Sequence, residues 1–80
     1  MICKLYVIPF TSMLILANSK SEAEELFGNN PQFISDLSES DIVRKGEDYH
    51  LAKPYLGNSK VIVTPKLREV LGNVLHKYSN

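Results

Sequence analysis

The chain has one cysteine, Cys3, and no tryptophan. A single thiol closes no internal disulfide and supplies no ligand set for a structural zinc, so an 80-residue fold has neither staple available. A reducing, cytoplasmic setting is the simplest reading. The formal net charge is zero, which removes any global field for steering onto nucleic acid or an anionic membrane. There is no Gly-rich phosphate loop and no Ser or Cys in a nucleophile-elbow setting, and Cys3 stands at an apolar strand start that raises a thiol pKa. His50 and His76 are not spaced to form a metal pair with each other or with Cys3, and His76, near a helix end, is read as a complement to the helix dipole. The expectation is a protein without cofactor, metal or enzymatic activity. Long apolar runs are missing too. Lys4 and the apolar stretch after it have the outline of a secretory signal, but Pro9, Thr11 and Ser12 interrupt the stretch, which is also too short to span a bilayer.

What is present argues for a folded core. Apolar residues make up 44% and charged residues 22%, ordinary for one small domain covering residues 1–80. A chain this short buries only about 60% of its unfolded surface, so a partner or a second copy would add stability. Charge is unevenly placed: residues 1–40 hold two Lys/Arg against five Asp/Glu, and residues 41–80 hold seven against four.

Local patterns give an order of elements. Residues 2–10, rich in Val, Ile, Tyr and Phe, and residues 13–17 read as a β-hairpin turning at Thr11-Ser12. Ser21 and Glu24 form a capping-box pattern ahead of Ala23, Leu26 and Phe27, and Gly28 stands where that helix ends. Residues 32–45 do not decide between helix and strand; Phe33, Ile34 and Leu37 are read as loop with a helical turn. Residues 42–44 and 49–53 are strands around Lys45-Gly46-Glu47-Asp48, and residues 61–63 read as a strand buried on both faces. Thr64 then caps a C-terminal helix with Pro65 in its first turn and Leu67, Val70, Leu71, Val74, Leu75 and Tyr78 along one face. Gly72 in its middle suggests either local close packing or simple tolerance. The order resembles a loose duplication of a ββα unit in pattern alone. The expected fold is α+β: a small antiparallel sheet with two helices packed on one face.

Function is expected from surfaces. The helix stripe is wide for so small a domain, and Val70, Asn73, Val74 and Tyr78 form the candidate protein interface. A homodimer pairing these helices is the simplest closed assembly. Arg44, Lys45 and Lys53 with Tyr49 and Tyr55 form a candidate basic patch for single-stranded nucleic acid. Asp48 and His50 share a strand face, where a carboxylate can orient an imidazole; a solvated strand pair is the plainer reading. The expected function is a non-enzymatic protein-binding module, an inhibitor or regulator, with small nucleic-acid-binding protein as the alternative. By analogy of size class, such modules are common in phages and mobile elements.

Overall fold

A computed structural model describes residues 2–75. Strands β1 (Cys3–Val7) and β2 (Leu14–Ala17) form the expected hairpin, with Lys4 opposite Ala17 and Val7 opposite Leu14. Helix α1 (Lys20–Phe27) ends at Gly28, whose N–H bonds Glu24 O at 2.8 Å with φ at 67°. Its start lies two residues before the expected cap: Ser19 is the N-cap and accepts from the Glu22 N–H. Strand β3 (Gln32–Leu37) pairs with the free side of β1. One 3-10 turn (Glu39–Asp41) leads to β4 (Ile42–Lys45), β5 (Asp48–Tyr55), β6 (Asn58–Val63) and helix α2 (Pro65–Leu75). The undecided segment 32–45 is therefore two strands around a turn. Its alternation was broken by a bulge: Leu5 faces Ser35 and Tyr6 faces Phe33, which leaves Ile34 without a partner.

The strand order is β3-β1-β2-β6-β5-β4. The sheet is mixed and not antiparallel throughout, because β2 and β6 pair in parallel, Ile15 beside Ile62 and Leu16 beside Val63. A flat sheet of this order would set its two edges about 24 Å apart. The chain from Leu37 on one edge to Ile42 on the other reaches at most about 18 Å. The sheet must curl. Cys3, Leu5, Leu14, Leu16, Leu37, Ile42, Leu51 and Val63 meet inside the curl, together with Leu67 and Leu71 of α2.

The helices do not share a face. Tyr6, Ile15 and Ala17 alternate with those inner residues along β1 and β2 and meet Ala23 of α1 on the other side. The hairpin is apolar on both faces and needs two covers, so β2 is the strand buried on both. Residues 61–63 alternate instead, with Ile62 41% exposed on the side that α1, at eight residues, is too short to cover. Proline 54, expected to break the pattern, lies within β5. From the register, Leu51–Pro54 of β5 stand opposite Ser59 alone, and an unpaired bulge needs no N–H from proline.

The parallel pair places the starts of both helices side by side, and one buried carboxylate joins them. Glu22 accepts from the Asn18 N–H at 3.2 Å, from Asn18 Nδ2 at 3.0 Å and from the Thr64 hydroxyl. Thr64 stands where the α2 cap was expected, but its hydroxyl turns to Glu22; its own N–H donates to Leu16 O at 3.1 Å. Burial works to raise the Glu22 pKa, yet the hydrogen bonds from Thr64 and Asn18 outweigh it and, with the charge of Lys66, hold the carboxyl below its ordinary value. Its stabilisation is then fully present above the unfolded carboxyl pKa and lost as pH falls through the lower folded value. The stability lead of the natural chain over Glu22→Gln should hold at pH 7 and shrink below about pH 4.3. Urea midpoints of both proteins from pH 7 to pH 3 check this; a gap independent of pH would contradict it.

Candidate functional site

Two turns stand side by side and carry the wrong residues for their backbones. In the β1–β2 connection the Thr11 N–H bonds Ile8 O at 3.2 Å, so Pro9 and Phe10 are the central pair of a four-residue turn. Pro9 presets the first position, and Phe10 occupies the second with φ at 66°, where glycine or asparagine is usual. Thr11 Oγ1 locks the far side, donating to Ile8 O at 2.7 Å and accepting from the Met13 N–H at 3.0 Å. The two-residue link between β5 and β6 has φ of 52° at Leu56 and 75° at Gly57. Positive φ at both central residues matches the twist of a tight hairpin, for which Asn-Gly is the favoured pair. Here leucine takes the asparagine place.

Both residues are turned outward: Phe10 is fully exposed and Leu56 is 66% exposed. Asn58 Nδ2 donates to Ser12 O at 2.8 Å and ties the two turns together. Met13 and Ile62, each partly exposed, line the groove between the β1–β2 loop and β6. The result is an apolar surface with two projecting tips on a hydrogen-bonded base. A backbone held at positive φ by a bulky side chain costs about 1–2 kcal/mol and persists where the surroundings over-determine it. Nothing in the packing repays it, because neither tip touches the core.

The residues expected to form the site fall elsewhere. Val70 is partly exposed on α2, Val74 packs against the inner core, and Asn73 is exposed and engaged in a contact of its own. Tyr78, like His76, lies outside the described residues. Of the basic patch, Tyr49 is only 3% exposed and cannot offer its ring to a base. Arg44 lies 6.0 Å from that ring's centroid and Arg68, from α2, 5.3 Å. Lys45 is exposed on the same hairpin, while Lys53 and Tyr55 line a separate groove with Ile34, Leu37 and Leu51. The patch is divided. Nor does the Asp48 and His50 pair form: Asp48 faces Lys60 at 3.9 Å, and His50 Nδ1 meets Ser59 Oγ at 3.1 Å. Burial, with the charge of Asp41 beside it, pushes the Cys3 thiol up to about 11, which keeps it a buried neutral group as its apolar strand start suggests.

The sequence did hold a signal for the tips. Phe10 follows a proline and Leu56 precedes a glycine, both turn contexts; Phe10 lies beyond the end of β1 at Val7, although residues 2–10 read as one strand in sequence. Of the two readings of Gly72, tolerance fits and close packing does not. A Cβ built there meets nothing within 4 Å, so close packing does not explain it. Gly72→Ala should therefore raise stability by about 0.5–1 kcal/mol, since only the helix preference changes. Denaturant midpoints decide it, and a loss of stability would mean that the position is packed after all. No family model, no curated protein and no solved structure matches this chain.

Proposed function

We propose that this protein is a non-enzymatic protein-binding module that docks the Phe10 and Leu56 tips into an apolar depression on a larger protein and so inhibits or regulates it. The observation that supports the reading is the pair of turns: two large apolar side chains fully or mostly in water, at positive φ, on loops tied by Asn58 and Ser12. Buried aromatic and aliphatic anchors dominate protein interfaces, and a rigid base lowers the entropy lost on binding. Thr11, Ser12 and Lys60 at the groove supply the polar rim that such an interface carries. The basic-patch alternative, nucleic-acid binding, has less support because Tyr49, one of its two stacking rings, is buried.

Leu56→Asn and Phe10→Asn separate binding from folding. Asparagine suits positive φ, so each change should raise stability by about 1 kcal/mol while removing an anchor. A photo-crosslinking residue at position 10 in cells of the source organism should give one protein adduct, and the adduct should disappear when Leu56→Asn is added. Light scattering over a dilution series tells whether that partner is a second copy. Sedimentation with anionic vesicles that is lost on Phe10→Asn would overturn the reading, because the tips would then be inserting into lipid.

A further inference from the structure

We propose that the cleft between the β4–β5 turn and α2 is a binding site for a phosphate group, held by Arg44 and Arg68. The cleft is a shallow, open depression of about 510 Å³ lined by Arg44, Glu47, Asp48, Tyr49, Arg68 and Gly72. Both guanidinium groups are fixed by the same turn: Arg44 Nε donates to Gly46 O at 3.0 Å and Arg68 Nη1 to Glu47 O at 3.1 Å. Both also lie against the buried ring of Tyr49. Each guanidinium has five N–H groups and uses one on a carbonyl, so the remaining forks are oriented before any ligand arrives.

Two like charges drawn to one ring repel each other and call for an anion. Two carboxylates, Glu47 and Asp48, line the same cleft, but neither forms an ion pair with Arg44 or Arg68. Among the described residues the ion pairs are Lys4 with Asp36 and Lys60 with Asp48, so no described carboxylate pairs with Arg44 or Arg68. Asp48 lies 3.9 Å from Lys60, and Lys45 adds positive charge on the same hairpin; Glu47 and Asp48 are the cleft carboxylates that would oppose an anion. A phosphate monoester carries two negative charges at neutral pH and several acceptor oxygens, which suits two separate guanidinium forks better than a single carboxylate does. Gly72 gives the second, independent observation. Glycine in mid-helix weakens α2, no neighbour requires it, and its missing side chain leaves the cleft wall low where a ligand would lie. This site is distinct from the apolar tips and does not rest on them.

Amide shifts of the isotope-labelled protein, titrated with inorganic phosphate and separately with glycerol 3-phosphate against chloride at equal ionic strength, test the proposal. Saturable shifts are expected at Gly46, Glu47, Tyr49, Arg68 and Gly72 with both phosphates and not with chloride. Arg68→Gln, Arg44→Gln and Gly72→Leu should each weaken binding roughly tenfold or more, and Glu47→Gln should tighten it. Gly72→Leu is the most direct variant, since leucine is a good helix former and its Cβ meets nothing in the fold. Tighter binding of the ester than of phosphate would assign the remaining volume to an organic moiety; equal binding would assign the site to phosphate itself. Shifts that do not saturate, that chloride reproduces, or that survive Arg68→Gln with the fold intact would overturn the proposal.

Discussion

The fold turns on one buried carboxylate shared between two chain reversals. Glu22 takes the Asn18 backbone and side chain at the start of α1 and the Thr64 hydroxyl at the start of α2. Its charge sits where the partial positive ends of two helices meet, the arrangement that helix dipoles favour. Without it, Thr64, which is fully buried, would hold an unpartnered hydroxyl at the joint. The parallel pairing of β2 with β6 depends on that same joint, since Thr64 N–H extends the ladder by one bond to Leu16 O. On one side of the joint stand β3, β1 and β2; on the other β6, β5 and β4. The short passage from Leu37 to Ile42 then forces the two sets to curl toward each other and close the inner core.

With the core and joint satisfied, the local rules are broken in a few places that packing does not explain. Phe10 and Leu56 hold positive φ in turns that favour glycine or asparagine, and Gly72 interrupts a helix with no neighbour near its missing side chain. Sequences are otherwise locally consistent with their folds, so unexplained departures point to surfaces kept for a ligand or a partner. The two turns form an apolar pair of tips, and Gly72 lines a cleft with two oriented guanidiniums. They present different chemistry, one apolar and one cationic.

Much of the architecture was legible because its signals are local. The β1–β2 hairpin, the Gly28 stop, the Gly46 turn, Pro65 at the start of α2 and the Leu67 and Leu71 face all follow from propensity and period. Four features were hidden for physical reasons. β3 lost its alternation at the Ile34 bulge, and β5 absorbed Pro54 in another bulge. The two-sided burial of β1 and β2 put α1 and α2 on opposite faces, which no single helix pattern reports. Glu22 and Thr64 are 42 positions apart, so their bond had no local trace. The site was less legible than the fold, since Arg44 and Arg68 come to one cleft only through the tertiary placement of α2. For the tips, the turn context of Phe10 and Leu56 was visible, but an exposed side chain leaves no mark on periodicity.

A double-mutant cycle between Glu22→Ala and Thr64→Val, read by chemical denaturation at pH 7, tests the central joint most directly. A hydrogen bond to a buried charged acceptor predicts a coupling on the order of 1.5–3 kcal/mol, with the double variant less destabilised than the sum of the two single changes. Additive single effects would contradict the account and leave the two halves held by the parallel strands and the shared core without this joint.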